Sequence, residues 1–150
     1  MISRSAKYAI GAMVYLANAN GTNANGKGWA LSRDISTGAR LPRQYLSKIL
    51  RTLASRGLLE SRRGRSGGFR LARTAADITL FEVVDPLDHL DTRGTCLLRP
   101  AGCDDSTPCG LHNSYRHIHD NFIELLHRTT LADAVTYLKL PGPRRVEILQ

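Results

Sequence analysis

No apolar run in this sequence approaches the length needed to cross a bilayer. The opening Met1-Ile2-Ser3-Arg4-Ser5-Ala6-Lys7-Tyr8 has neither the apolar stretch nor the cleavage site of a secretory signal. The chain is therefore expected to be cytoplasmic, with no membrane as a partner. Catalytic signatures are missing as well: there is no triad, no pair of carboxylates and no nucleotide fingerprint. The glycine-rich Gly64-Arg65-Ser66-Gly67-Gly68 lacks the Lys-Ser/Thr ending and the following helix that a phosphate-binding loop needs. An enzyme is not expected. Cysteine occurs only three times, without a Cys-x-x-Cys pair. In the cytosol three such residues do not build a disulfide framework, so metal binding or redox chemistry gains weight. Internal repeats are absent too.

Acidic residues are scarce where basic ones gather. The net charge is +8 over 150 residues, and it is unevenly spread. Residues 33–73 carry eleven Lys/Arg against Asp34 and Glu60, a local balance of +9, whereas residues 74–150 come to −4. A basic module joined to a mildly acidic one is the electrostatic pattern of a polyanion-binding domain with an appended part of different purpose. With 42% hydrophobic residues the chain can build a core, but a small one that an oligomer interface would help.

Apolar spacing from Ser5 to Ala19 predicts an amphipathic helix, and the Asn/Gly-rich 18–26 breaks it. A short second helix begins near Leu31 and is expected to close at Gly38. A third begins at Pro42, with Leu46, Ile49, Leu50 and Leu53 on one face and Arg43, Gln44, Ser47, Lys48 and Arg51 on the other. Gly57 ends it. Residues 58–63 and 69–73 read as two strands around a 64–68 turn. A brief helix from Thr79 is expected to stop before Pro86. The segment 91–110 has no periodicity and predicts a long loop. A long helix follows, in which Leu111, Tyr115, Ile118, Phe122 and Leu125 recur as a short heptad seam, then a last helix over 130–138. The tail 139–150 is expected to be mobile.

Two constellations carry chemistry. The outward face of the third helix suits a DNA groove: Arg43 could pair with guanine and Gln44 with adenine, while Lys48 and Arg51 suit phosphates. The hairpin Arg62-Arg63-Gly64-Arg65-Ser66-Gly67-Gly68-Phe69-Arg70 sets four arginines around glycines, which permit a tight turn and close approach to phosphate. The second constellation is Cys96, Cys103 and Cys109, with His112 three residues on. Thiolates bind iron–sulfur clusters and zinc, and a flexible loop can fold around either. His112 opens the long helix and could reach back to the loop; His89, Asp104 and Asp105 are weaker candidates for a fourth donor.

These residues together resemble the Rrf2 family of bacterial transcription regulators. The resemblance runs to about residue 138. It is carried by the Ser5-Ala6-Lys7-Tyr8-Ala9 opening, Gln44-Tyr45-Leu46-Ser47-Lys48-Ile49-Leu50, the Arg63-Gly64-Arg65-Ser66-Gly67-Gly68-Phe69 hairpin, Ile78-Thr79-Leu80, and three cysteines before a long helix. It implies that the helix holding Arg43, Gln44, Ser47, Lys48 and Arg51 enters the major groove. The wing, with Arg63, Arg65, Ser66, Gly67 and Gly68, enters the minor groove. It further implies Cys96, Cys103 and Cys109 as thiolate ligands of a 2Fe-2S or 4Fe-4S cluster, with His112 as fourth ligand in one branch. Another branch takes an acidic residue from the partner's first helix, where this chain has Lys7 and Tyr8.

The expected fold is mainly α with a small β wing: a winged helix-turn-helix over 1–85, a cysteine-containing loop over 86–110, and a dimerisation helix with a short terminal helix over 111–138. The expected function is that of a homodimeric regulator, a repressor, on a palindromic double-stranded operator, controlled by an iron–sulfur cluster that senses redox, nitric oxide or iron status. Two alternatives stay open: a metal-free regulator gated by a small molecule or protein, and an iron–sulfur or zinc redox protein.

Overall fold

The structure, a computed structural model, describes residues 2–19, 28–65, 67–90, 96, 98–99 and 103–139. Its elements run α1 (Arg4–Ala19), α2 (Ser32–Gly38), α3 (Arg43–Ser55), β1 (Leu59–Arg62), β2 (Gly68–Leu71), a 3-10 turn (Ala75–Asp77), α4 (Leu80–Asp88), α5 (His112–Arg128) and α6 (Leu131–Lys139). This is the mainly helical winged fold the sequence pattern predicts. Ser66 and the tail 140–150, expected to be a wing contact and a mobile end, lie outside the described residues.

The centre of the molecule is α1. Ala6, Ala9 and Ala12 are small enough for neighbouring helices to approach, and Met13 and Leu16 fill the space beside them with no exposure. α3 supplies the facing layer through Leu46, Ile49, Leu50 and Leu53, the residues whose spacing marks one helical face. Its end is a Schellman closure: Leu58 N–H donates to the Leu53 carbonyl and Gly57 N–H to that of Ala54, with Gly57 at φ +74°.

The turn between α2 and α3 departs from expectation. Gly38 is not the left-handed residue there; a side chain on it would sit 2.0 Å from the Tyr15 ring, so it is required by close packing. The left-handed residue is Arg40, at φ 54°. The Ser36 hydroxyl, buried at this turn, donates to the Leu41 carbonyl at 2.6 Å and fixes the entry to α3.

β1 and β2 pair antiparallel from Leu59↔Leu71 to Arg62↔Gly68. A third segment joins them at Ala30, whose N–H and carbonyl exchange bonds of 2.9 and 2.8 Å with Phe69. The wing is thereby anchored to the chain just before α2.

α4 continues through Pro86 instead of stopping before it, so the expected boundary after residue 85 falls within a helix. Pro86 lacks the N–H that would reach back to Glu82, but one missing bond is outweighed by packing of Val83, Val84, Leu87 and Leu90 in the core. His89, left-handed at φ 49°, then closes the helix with its N–H on the Asp85 carbonyl. At the other end Thr79 and Glu82 form a capping box. Burial opposes ionisation of Glu82, yet the Thr79 N–H and the Arg73 guanidinium outweigh it and hold the carboxyl below its usual range.

The C-terminal helices are not a separate layer. Leu131 is fully buried in the α1–α3 core. Leu80 N–H donates to the Thr129 carbonyl and Leu131 N–H to that of Ile78, at 2.9 and 2.8 Å. The first amides of α4 and α6, which helix geometry leaves without internal partners, are thus satisfied across the Thr79↔Thr130 bridge. Leu131→Ala should therefore lower unfolding stability by about 2–5 kcal/mol, as for other large-to-small core changes. Denaturation followed by helix signal should still give one transition; an early separate loss of α6 would contradict a shared core.

Candidate nucleic-acid interface and metal centre

On α3, Arg43, Gln44, Ser47, Lys48 and Arg51 are all exposed, because the opposite face is used up by the core. Arg63 and Arg65 are exposed at the wing tip. Ion pairing sorts the basic residues into two groups. Arg33 meets Asp34, Arg70 meets Glu60 at 2.6 Å across the hairpin, and Arg73 meets Glu82 at 2.7 Å. Arg70 also lies 4.6 Å over the Trp29 ring, so it braces the wing and is not a free charge. Within residues 33–73, Arg40, Arg43, Lys48, Arg51, Arg56, Arg62, Arg63 and Arg65 form no ion pair among the described residues. Uncompensated positive charge therefore lies along α3, at its two ends and on the wing, a distribution that attracts a phosphate backbone.

The two wing glycines have an architectural reason to be glycine. Gly67 is buried, and a side chain on it would fall 2.2 Å from the Arg62 carbonyl oxygen. Gly68, at φ +131°, would place one 2.3 Å from the Ala30 carbonyl oxygen. Tyr45, to which the sequence pattern assigns no contact, is 54% exposed on α3.

The cysteine loop holds its chemistry close to the N-terminus of α5. The sulfurs of Cys96, Cys103 and Cys109 lie within 4.8 Å of one another, with 3.6 Å from Cys96 to Cys109 and 3.9 Å from Cys103 to Cys109. His112 Nδ1 lies 3.0 Å from the Cys103 sulfur. The Leu98 and Arg99 N–H groups donate to the Cys96 sulfur at 3.4 and 3.3 Å. Led by the Leu98 bond, these contacts outweigh burial and bring the Cys96 thiol down to about 7. Cys103 moves the other way: the Cys109 N–H favours its thiolate, but burial and the Cys96 and Cys109 sulfurs push it up. Three neighbouring thiols resist becoming three thiolates unless a cation joins them. The donor set, three sulfurs and an imidazole nitrogen, fits an iron–sulfur cluster or a zinc ion.

The other residues weighed as a fourth donor are engaged elsewhere. Asp104 Oδ1 accepts from the hydroxyls and amides of Ser106 and Thr107, which pull its carboxyl down to about 2, the Ser106 hydroxyl foremost. Asp105 Oδ1 bonds His112 Nε2 at 3.1 Å and accepts from Arg116. Its carboxyl is lowered, first by His112 and then by Arg116. His89 closes α4 and lies outside the three-cysteine group.

The long helix divides its apolar residues between two surfaces. Phe122, with Ile123 and Leu126, turns into its own chain against Ala6, Val84 and Leu90. Leu111, Ile118 and Leu125 are 44, 57 and 59% exposed. The expected five-residue seam is thus narrower, with an open row at seven-residue spacing.

The family model for Rrf2, described as an iron-dependent transcriptional regulator, matches residues 2–137. The chain belongs to the Rrf2 family. An rrf2-like HTH-type transcriptional regulator of Rhodobacter capsulatus is 30% identical over 89% of this chain and 91% of its own length. Among solved structures, CymR (YrzC), the global cysteine regulator of B. subtilis, superposes with a TM-score of 0.72 at 24% identity, over 91% of this chain and 97% of that one. IscR of T. potens does so with a TM-score of 0.70 at 23% identity, over 93% and 88%. These structural likenesses establish the shared winged fold. As an Rrf2-family member the protein is a transcription regulator and not an enzyme. No helix among the described residues is long and apolar enough to cross a membrane.

The wing geometry generates its own test. Gly68→Ala combines a positive φ with a backbone clash, and strain of this kind costs about 1–3 kcal/mol. Thermal unfolding should shift downward, and DNA affinity should fall further than for an Ala substitution at exposed Gly64. Equal behaviour of the two variants would remove the packing role.

Proposed function

We propose that this protein is a homodimeric, cytoplasmic transcription repressor that binds a palindromic DNA operator and is controlled by an iron–sulfur cluster at Cys96, Cys103, Cys109 and His112. The observation that carries the reading is the convergence of three sulfurs within 4.8 Å beside the first residue of the long helix. The N–H donors on Cys96 support the thiolate form that iron binds. The family's description as iron-dependent points the same way.

On the DNA side, Arg43 and Gln44 are assigned to base edges in the major groove, with Ser47, Lys48 and Arg51 beside them at the backbone. Arg63, Arg65 and Ser66 are assigned to the wing's contact with the minor groove. Gly67 and Gly68 let the wing turn tightly enough to present them. A bound cluster supplies one-electron chemistry and reactivity toward oxidants and nitric oxide. The chain's own part is to link that site to the reading head. His112 is at once a donor and the first residue of α5. A change in how Cys103 and His112 are held reaches, along α5, Phe122, Ile123 and Leu126, which pack on α1 and α4.

A mononuclear zinc ion is the second reading. The sulfur separations of 3.6 and 3.9 Å are near the edge of about 3.8 Å expected for thiolates on one tetrahedral ion with bonds of about 2.3 Å. Metal analysis separates the two. Anaerobically purified protein should contain iron and sulfide, and Cys96→Ala, Cys103→Ala and Cys109→Ala should each lose them, with His112→Ala leaving a more labile cluster. Operator affinity should differ between loaded and metal-free protein, with a strong salt dependence that weakens in Arg65→Ala. Stoichiometric zinc, or DNA affinity indifferent to the cysteines, would overturn the cluster reading.

The exposed row Leu111, Ile118 and Leu125 is assigned to the same row of a second copy, related by a two-fold axis. Ile118→Asp would bury a charge there, so sedimentation should report monomers. A dimer mass unaffected by this change would move the interface elsewhere.

A further inference from the structure

We propose that Asp105 is a positioning residue for the metal site: its carboxylate fixes His112 as the tautomer whose bare Nδ1 faces the cysteine sulfurs. This rests on reading Cys96, Cys103, Cys109 and His112 as the donors. It gives Asp105 a role that its residue type alone does not suggest.

The assignment follows from what each partner can donate. A carboxylate only accepts, so the contact of 3.1 Å between Asp105 Oδ1 and His112 Nε2 requires the hydrogen on Nε2. A neutral imidazole protonated there carries its lone pair on Nδ1. That is the atom 3.0 Å from the Cys103 sulfur, where a thiol S–H can donate to it. The Nε2 contact therefore selects the tautomer, and the Nδ1 contact is compatible with it.

The exposures suit this division of labour. The His112 side chain is 12% exposed and Asp105 is 76% exposed, so the carboxylate orients an enclosed ring from its solvent side. Arg116, one turn beyond His112 on α5, donates to the same Asp105 oxygen. It holds the carboxylate against the helix. Asp104 cannot substitute for it, because its own Oδ1 closes the turn through Ser106 and Thr107. A carboxylate behind a ligating imidazole fixes its orientation and raises its donor strength. Loss of such a partner typically weakens metal binding about 10–100-fold.

The test uses full-length protein with ¹⁵N-labelled histidine, first without metal. At about pH 8, above the ordinary imidazole range, wild-type His112, assigned by its loss in His112→Ala, should show a protonated Nε2 and a bare Nδ1. Asp105→Ala should shift both nitrogens toward a mixture of tautomers, while Asp105→Asn, which keeps an acceptor oxygen, should restore the wild-type pattern. Unchanged nitrogen shifts in Asp105→Ala would overturn the proposal. In iron-loaded protein, transfer of iron to a chelator should be about 10–100 times faster for Asp105→Ala, and adding Asp105→Ala to His112→Ala should bring no further acceleration. An additive effect would also overturn it, since Asp105 would then act other than through His112. If instead the tautomer responds to Asp105 but His112→Ala retains iron as wild type does, the donor reading of His112 fails and the Asp105–His112 pairing stands.

Discussion

The geometry of the molecule depends on the short backbone bridge between residues 78–80 and 129–131. Each strand of it is a helix entrance, and each entrance satisfies the other's first amide. Because Thr129 directly follows α5, the bridge also fixes where that helix ends relative to the head. Phe81 stacks on His127 with ring centroids 3.9 Å apart, and Leu126 packs beside Val84, so the last two turns of α5 are held to α4. Its first residue, at the far end of this seventeen-residue helix, is His112. One rigid rod therefore has the cysteine loop at one end and the DNA-reading head at the other. A long helix transmits a displacement because its backbone hydrogen bonds resist bending over a span of about 1.5 Å per residue.

Charge is partitioned by the same periodicity that builds the core. On α3 the burial of Leu46, Ile49, Leu50 and Leu53 leaves Ser47, Lys48 and Arg51 exposed, so the core face and the basic face are set by one 3.6-residue repeat. The hairpin uses a period of two, and there the consequence differs. Arg70 stands opposite Glu60 in register and spends its charge on the sheet, with Trp29 covering it. The hairpin arginines left without an ion pair among the described residues are Arg62, at the last paired position, and Arg63 and Arg65 beyond it. A basic sequence thus resolves into structural and available cations only when register is known.

Much of this was legible in advance, for reasons that differ from element to element. α3 announced itself by four apolar residues on one face, and its end by Gly57, since a Schellman closure needs a left-handed residue there. The residues that come together beside α5 were legible by type: cysteine in polar loop sequence, then a histidine at a helix start. Other features were hidden because tertiary contact decides them. α4 runs past Pro86 because the loss of one hydrogen bond is small against the packing of Leu87 and Leu90. Gly38 looked like a left-handed cap, yet it is small because Tyr15 presses on it, and Arg40 makes the turn. Phe122 fitted the heptad seam, but α1 and α4 offer it a pocket in its own chain. Asp105 could not be told from Asp104, since only the fold directs one to α5 and the other to its own turn.

The cysteine loop is built unlike the rest of the molecule. Its described residues include no buried apolar side chain, and its contacts are sulfur–amide bonds, the turn closed by Asp104, and the Asp105 contacts with α5. Segments with so little apolar burial sit at the low end of local stability. Metal-ligand bonds in such a segment do more than add affinity: the energy of binding goes into ordering the chain that supplies the donors. That matters for regulation because a ligand moves an equilibrium only by its differential interaction with the two states. In a loop already rigid, gain or loss of a metal would change little beyond the site. Under the proposed metal reading, ligand bonds would add to the Cys103–His112 and Asp105–His112 contacts already present and so tighten the hold on the start of α5. Couplings between distant sites are typically about 1–3 kcal/mol, or roughly 5–150-fold in affinity. Ordering even a few residues costs about 1–2 kcal/mol each, so a loop of this size holds enough free energy to bias the reading head through one helix.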